Sequence, residues 1–244
     1  MKKAIVLAAG RGKRLGSITD NLPKPMVPVR GKPILKYVLS DLTSAGIDEV
    51  LLVVGYRQET IRDYFGDGEQ FGCNMTYVEQ AEANGTGAAI ALGKEFANGH
   101  PAFVRFGDVL TDLEHTVTMV SDFEREPCDA LMGCNFVEDP YAGAAVYRNG
   151  DRVTQLIEKP PRGTSTSNWN PAGLSIYGPR MFKELENLEL SPRGEYEVTT
   201  ALQNLINAGG NIRVHEMLGY WSDIGTPEAL EEAVKRLATL TPAR

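Results

Sequence analysis

The sequence has few cysteines, no long apolar run and no cluster of basic residues. Its three cysteines, Cys73, Cys128 and Cys134, show no CxxC spacing, which predicts reduced, packed thiols and argues against a disulfide framework or a zinc site. The longest apolar run near the start, residues 4–9, is far shorter than the roughly 20 residues of a membrane helix. We therefore expect a cytoplasmic protein that does not use a membrane.

The sequence also has fewer basic than acidic residues. The 25 Lys and Arg residues are outnumbered by 32 Asp and Glu residues, for a net charge of −7, and that balance argues against duplex nucleic acid as a partner. With 244 residues, of which 42% are hydrophobic, the chain can bury a sizeable core. Because the sequence contains neither an internal repeat nor a recognisable interdomain linker, we expect one domain over residues 1–244.

Short apolar runs alternate with segments of helical period in the first half of the sequence. The predicted strands are residues 4–9, 50–54, 75–79 and 102–106. The predicted helices are a segment after Pro33 that ends at Gly46, residues 58–65 and residues 86–96. The order βαβαβαβ predicts a mostly parallel, Rossmann-like α/β sheet with helices on both faces.

In the second half of the sequence, predicted strands follow one another with turns instead of helices between them. The predicted strands are residues 130–136, 144–148, 153–158 and 173–177, which we expect to add antiparallel strands to the sheet. Residues 160–171 are rich in Pro, Gly, Ser and Thr and predict a functional loop. Thr226 and Pro227 predict the N-cap and first residue of a terminal helix.

The most informative segment is LAAGRGKRLGSITDNLPKPM, residues 7–26, which directly follows the first predicted strand. Gly10 and Gly12 allow backbone N–H groups to approach a ligand closely. Leu15 stands where the dinucleotide fingerprint GxGxxG needs a glycine, and the Walker pattern is missing too. The glycines alone would suit a plain turn equally well. Polyphosphate is favoured by the positive charge of the segment, which comes from Arg11, Lys13, Arg14 and Lys24.

The whole segment resembles the signature GxGxRLxxxTxxxPKPM of the sugar-1-phosphate nucleotidylyltransferases. That family includes glucose-1-phosphate thymidylyl- and uridylyltransferases and mannose-1-phosphate guanylyltransferases. Gly16-Ser17-Ile18 departs from the bulkier residue, Pro and Leu of many members. The resemblance extends over nearly the whole chain through GTGAAI at Gly85, FGD at Phe106, EKP at Glu158, RGEYEVT at Arg193 and WSDIGTP at Trp221.

The resemblance implies a magnesium-dependent nucleotidyl transfer. Asp108 follows the predicted strand that ends at Phe106, at the carboxyl edge where open α/β sheets bind ligands. By resemblance, Arg14, Lys24 and Asp108 are the catalytic residues, and Asp108 and Asp223 bind Mg²⁺, the expected cofactor. Changing Lys24 to Ala is expected to lower turnover by about two orders of magnitude and to leave the melting temperature nearly unchanged.

The substrate-binding residues are implied in the same way. The NTP would contact Ala9, Gly10, Gly12, Lys13, Gln80, Gly85 and Thr86, and the Gln80 amide would suit a uracil or thymine imide. The sugar 1-phosphate would contact Tyr141, Gly143, Glu158, Lys159, Asn170, Gly173, Arg193 and Trp221. Residues 1–110 would then serve mainly the NTP, and residues 111–244, with the terminal helix, mainly the sugar phosphate.

Several alternatives stay open beside transfer from dTTP or UTP. The acceptor and base could be those of a guanylyl- or cytidylyltransferase, or the chain could be a regulatory homologue that binds a nucleotide sugar without turnover. An NAD-dependent dehydrogenase is disfavoured, because an acidic residue about 20 positions beyond the glycines is also missing. A homo-oligomer is left open. Since the sequence ends one helix after WSDIGTP, we expect no acyltransferase domain of the kind that some relatives carry.

Overall fold

A nine-stranded central sheet organises the computed structural model, which describes residues 1–239. The strands are β1 Lys3–Ala8, β2 Pro28–Val29, β3 Lys32–Pro33, β4 Glu49–Val54, β5 Asn74–Glu79, β6 Ala102–Phe106, β7 Val109–Thr111, β8 Ala130–Phe136, β9 Ala144–Asn149, β10 Arg152–Glu158, β11 Trp169–Tyr177, β12 Ile212–Glu216 and β13 Trp221–Asp223. The helices are α1 Ile34–Ser44, α2 Gln58–Phe65, α3 Thr86–Ala91, α4 Lys94–Ala97, α5 Leu113–Arg125, α6 Pro179–Glu186, α7 Val198–Asn207 and α8 Pro227–Thr239. The strand order in the large sheet is β5-β4-β1-β6-β11-β8-β12-β10-β9.

The first half of the sheet is parallel, as the sequence predicts. β1 lies between β4 and β6 and pairs in parallel with both, and β4 pairs in parallel with β5. Ala4, Ile5 and Val6 are fully buried, which fits a strand covered on both faces. Helices α1, α2 and α5 pack on one face of the sheet and α3, α4, α6 and α7 on the other. The predicted α/β fold class is therefore confirmed.

The second half of the sheet is mixed. β11 is antiparallel to both β6 and β8, and β9 and β10 form an antiparallel pair. The expected antiparallel strands are therefore present, but β8 also pairs in parallel with β12. The predicted loop at residues 160–171 is too long, because β11 begins at Trp169. Pro171 lies next to an irregularity of the strand, where the register with β8 shifts between Pro171 and Ser175, and bulges are places where sheets accept proline.

The predicted helix over residues 86–96 is wrong in its extent, since α3 ends at Ala91 and α4 begins at Lys94. Gly93 lies at the break, and a Cβ there would come within 2.3 Å of Cδ1 of Ile5. The close packing of this turn on β1 therefore interrupts the helix. Helix α5 has no counterpart among the predicted elements. Helix α8 begins as predicted, with Thr226 accepting a hydrogen bond from the N–H of Ala229.

A small antiparallel pair positions the site. β13 pairs with β7, so that Asp223 lies opposite Val109, and the N–H of Ile224 donates to the carbonyl of Asp108 at 3.1 Å. This pairing brings Asp223 beside the residues that follow the carboxyl end of β6. No helix within residues 1–239 is long and apolar enough to span a membrane.

Candidate active site

Two cavities adjoin at the carboxyl ends of β1, β6 and β8, the edge where open α/β sheets bind ligands. Their volumes are 490 and 320 Å³. Both are lined by Arg14, Phe106 and Asp223. A ligand in one cavity would therefore meet a ligand in the other beside these side chains.

Lys24 lies between two carboxylates at this junction. Its Nζ is 2.6 Å from Oδ2 of Asp108 and 2.6 Å from Oδ1 of Asp223, so the two oxygens lie within twice that distance of each other. Burial by itself lowers the pKa of Lys24, but the carboxylates of Asp108 and Asp223 outweigh it and raise that pKa above the ordinary lysine value. The structure thus brings together three of the residues that the sequence implicates.

The local sequence explains why Lys24 reaches this point. Pro23 and Pro25 flank it, and it begins a short 3₁₀ turn in which its side chain is 7% exposed. Gly12 has a φ of +73°, and a Cβ there would lie 2.8 Å from Cβ of Lys24. Glycine at position 12 therefore lets the loop lie against the aliphatic part of the lysine, a role that differs from the predicted contact with NTP.

Arg14 approaches the same cluster from the solvent side. Its Nη2 lies 3.5 Å from Oδ2 of Asp223. A Cβ on Gly225 would lie 2.8 Å from that Nη2, so glycine at position 225 leaves room for the guanidinium. Arg14 is largely exposed and lines both cavities, which leaves it accessible to phosphate oxygens.

The larger cavity is lined by most of the predicted NTP-binding residues, namely Ala9, Gly10, Gln80, Gly85 and Thr86. Gly12 and Lys13 lie outside its lining. Gly85 has a φ of +120°, and a Cβ there would lie 2.4 Å from the carbonyl oxygen of Tyr196. The GTG sequence is therefore also needed for close packing against the segment before α7.

The smaller cavity is lined by four of the predicted sugar-binding residues, Gly143, Asn170, Gly173 and Trp221. Oδ1 of Asn170 accepts a hydrogen bond from the N–H of Ala144 at 3.2 Å. A Cβ on Gly143 would lie 2.0 Å from that oxygen, so glycine at position 143 allows the asparagine to approach β9. Nε1 of Trp221 donates to the carbonyl of Ala172 at 2.7 Å, which fixes the indole as a wall.

Tyr141 lies outside the lining of this cavity, and its ring packs against the Arg162 guanidinium at 4.0 Å. Its predicted contact with sugar stays a prediction. The insertion of Ala142 between Tyr141 and Gly143 shifts the YG pair of the family, and Ala142 lines the cavity instead.

Glu158 and Arg193 form a charged cluster beside the cavities. Nη1 of Arg193 lies 3.3 Å from Oε1 of Glu158, and its Nε lies 3.3 Å from Oε1 of Glu197. The hydroxyl of Thr199 donates to Oε2 of Glu158 at 2.9 Å. Burial raises the pKa of Glu158, partly opposed by that hydrogen bond. Arg193, expected at the sugar phosphate, is thus bound to carboxylates in this structure.

Lys159 has a φ of +41°, a left-handed conformation that is uncommon for a residue with a long side chain. Its N–H donates to the carbonyl of Gly143 at 2.8 Å, and it lines the larger cavity. The EKP turn therefore places the lysine on the side of the larger cavity, while Glu158 is paired with Arg193.

Comparisons with known proteins identify the family of the chain. The model of the nucleotidyl transferase family matches residues 3–239. The chain belongs to the nucleotidyl transferase family. The low-salt glycan biosynthesis nucleotidyltransferase Agl11 of Haloferax volcanii is 36% identical over 233 residues, which cover 95% of this chain and 64% of that protein. The glucose-1-phosphate thymidylyltransferase of Streptomyces griseus is 32% identical over 247 residues, covering 99% of this chain and 68% of that protein.

Longer relatives also match the chain. The bifunctional protein GlmU of Methanococcus maripaludis is 36% identical over 224 residues, which cover 92% of this chain but 51% of that protein. The chain thus spans between about half and two thirds of the length of curated relatives such as GlmU and Agl11.

Solved structures share the fold over the full chain. A protein provisionally named glucose-1-phosphate thymidylyltransferase, from Bacillus anthracis and in complex with sucrose, has a TM-score of 0.89 at 26% identity, covering 100% of this chain and 98% of that one. UDP-glucose pyrophosphorylase complexed with UDP-glucose has a TM-score of 0.88 at 24% identity, covering 99% of this chain and 100% of that one. At that identity the second structure supports the fold alone.

The pair of carboxylates fits a magnesium ion that is bound together with phosphate. Asp108 and Asp223 converge on one cation, the Lys24 ammonium. Within residues 1–239, no group of three or more His, Cys, Asp or Glu side chains could hold a metal. Two carboxylates suffice for Mg²⁺ when phosphate oxygens and water fill the remaining positions.

Sequence reasoning missed several residues at the site. Phe106 lines both cavities, and Glu195 lines the larger one. Glu197 and Thr199 are buried beside Arg193 and Glu158. Glu195, Glu197 and Thr199 belong to the RGEYEVT segment, from which Arg193 was predicted. The segment alone does not reveal which partners its side chains contact.

A cavity of 840 Å³ lies at the opposite edge of the sheet, near His100 and Pro101 before β6. Its lining includes Lys2, Lys3, Glu49 and Glu124. Lys24, Asp108 and Asp223 lie at the other edge of the sheet, at the carboxyl ends of its parallel strands. The candidate active site is therefore chosen by its converging charges and not by cavity volume.

Proposed function

We propose that this chain transfers a nucleoside monophosphate from dTTP or UTP to a sugar 1-phosphate and releases pyrophosphate. The observation that carries the proposal is the cluster of Lys24, Asp108 and Asp223 at the junction of two cavities. One cavity is lined by residues expected to bind NTP and the other by residues expected to bind sugar. The names of two relatives make glucose 1-phosphate the first acceptor to test.

In this reaction an oxygen of the sugar phosphate attacks the α-phosphorus of the NTP. The bond from the α-phosphorus to the bridging oxygen breaks, and pyrophosphate leaves with the electron pair. Such a transfer requires in-line positioning and charge neutralisation rather than a covalent enzyme intermediate. Arg14 would bind the leaving pyrophosphate, since it is exposed where the two cavities meet.

Lys24 and Lys159 would hold the phosphates of the two substrates. Lys24 would bind the triphosphate, and Lys159, which lines the nucleotide cavity beside the EKP turn, would bind the phosphate of the sugar. Glu158 would accept hydrogen bonds from sugar hydroxyls. Asp108 and Asp223 would hold Mg²⁺, which, when bound, would neutralise phosphate charge.

The test is pyrophosphate release measured for dTTP, UTP, GTP and CTP, each with a panel of sugar 1-phosphates. We expect release with dTTP or UTP and Mg²⁺. A preference for GTP or CTP would instead identify a guanylyl- or cytidylyltransferase. No release with any pair, together with tight binding of a nucleotide sugar, would identify a regulatory homologue.

Location and assembly are further predictions. We propose the cytoplasm, because nucleoside triphosphates are available there. A homo-oligomer stays a prediction, which light scattering after gel filtration would test.

A further inference from the structure

The carboxamide of Gln80 is held in one orientation. Its Nε2 donates to Oδ1 of Asn84 at 3.2 Å and to the carbonyl oxygen of Gly85 at 3.1 Å. A backbone carbonyl can only accept a hydrogen bond, so the atom facing Gly85 must be the amide nitrogen. With both Nε2 hydrogens engaged, Oε1 is the amide atom left for a ligand in the cavity that Gln80 lines.

The backbone of Asn84 is held independently of Gln80. Its backbone N–H donates to the carbonyl of Glu82 at 2.9 Å, and its own carbonyl accepts from the N–H of Tyr196 at 2.8 Å. Asn84 does not line the larger cavity, whereas Gln80 and Gly85 do. Any effect of the Asn84 side chain on a bound nucleotide would therefore pass through Gln80.

We propose that Asn84 is a positioning residue that sets the polarity of base recognition. By holding Nε2 of Gln80, it makes that side chain present an acceptor to the base. The favoured pyrimidines are then uracil and thymine, whose ring N3–H donates, while cytosine, whose N3 accepts, is disfavoured. The inference rests on the proposed function, because it places an NTP in this cavity, and it adds the residue that separates UTP from CTP.

Gly85 alone would hold the amide less firmly. The last torsion angle of a glutamine side chain has a broad, roughly two-fold distribution. A single hydrogen bond therefore leaves the carboxamide able to turn over. With Oδ1 of Asn84 as a second acceptor, turning the Gln80 carboxamide breaks two hydrogen bonds and places its oxygen against the carbonyl oxygen of Gly85. Removal of the Asn84 oxygen is therefore expected to let Gln80 offer Nε2 to the N3 of cytosine.

The experiment measures dissociation constants of UTP and CTP by calorimetry in the presence of Mg²⁺. The wild-type chain is expected to prefer UTP. Asn84→Ala should lower the UTP-over-CTP ratio by about three- to tenfold, in line with one neutral hydrogen bond, whereas Asn84→Asp keeps an accepting oxygen and should keep the preference. Glu82→Ala, an exposed change in the same turn, serves as the matched control and should bind like wild type.

Two results would overturn the proposal. One is a wild-type chain that binds both nucleotides equally, and the other is an Asn84→Ala chain that keeps the full preference or weakens both nucleotides alike. Should Asn84→Ala not fold, Asn84→Ser is judged by the same ratio. Failure of the proposed function looks different, because the wild-type chain would then bind neither nucleotide.

Discussion

Replacement of Lys24 by Met tests the central cluster. The variant keeps an apolar stem against Gly12 but removes the ammonium that lies 2.6 Å from each of two carboxylates. Loss of one partner of a buried pair costs about 3–5 kcal/mol. The side chains of Asp108 and Asp223 are 24% and 38% exposed, so solvent screens part of the uncompensated charge. We therefore expect Lys24→Met to lower the free energy of unfolding by about 2–3 kcal/mol.

For a chain of this size that loss corresponds to a melting temperature lower by about 5–10 °C. The structure thus overturns the sequence-based expectation of a nearly unchanged melting temperature, because Lys24 is buried between charges rather than solvated. Turnover is still expected to fall by about two orders of magnitude. Lys183→Met, at an exposed position of α6, is the matched control and should shift stability by less than about 0.5 kcal/mol.

The effect of Lys24→Met should depend on pH. Burial already raises the pKa of Asp108 above its ordinary value of 3.8, the Lys24 charge opposes this, and Asp223 adds to it. Without Lys24 the pKa of Asp108 rises further. A carboxyl group with a raised pKa in the folded state stabilises the fold below its unfolded pKa and loses that contribution as pH rises through the folded pKa.

The gap in melting temperature between wild type and Lys24→Met should therefore be small near pH 4 and larger at pH 8. Calorimetric or circular-dichroism melts at both pH values measure it. A gap below about 1 °C at pH 8, or one that does not change with pH, would refute the assignment of Lys24 as the cation that neutralises this pair.

Three further predictions concern the metal, the GTG turn and the Cys134 thiol. Asp223→Asn should abolish most pyrophosphate release and blunt the rise in melting temperature that Mg²⁺ and NTP cause together, and an unchanged rise would remove Asp223 from metal binding. Gly85→Ala should cost about 1–3 kcal/mol more than Gly99→Ala, because both have positive φ but only Gly85 abuts the Tyr196 backbone. Chemical denaturation of both variants measures this, and equal losses would contradict it. Burial raises the pKa of Cys134 to about 12, and Cys134 is fully buried, so a thiol reagent at pH 8 should label Cys134 only after unfolding, and rapid labelling of Cys134 in the native chain would contradict its burial.

The sequence by itself determined the elements and the loops that carry local signals. The buried strands β1, β4 and β6 and the N-cap of α8 follow from apolar runs and capping residues, which act over a few positions. Local pattern failed where a distant contact intervened, as at Gly93, whose packing on Ile5 splits the predicted helix. It also failed at the start of β11, where pairing with β8 extends the strand back to Trp169.

Only the tertiary structure decided which charges meet. Asp223 lies 199 residues from Lys24, and the pairing of β13 with β7 brings it beside Asp108. Arg193 is surrounded by Glu158 and Glu197, although its sequence context indicated a phosphate ligand. Spacing along a chain fixes neighbours within one helix or strand, whereas these contacts depend on how strands far apart in sequence pair, and that is set by burial of the whole core.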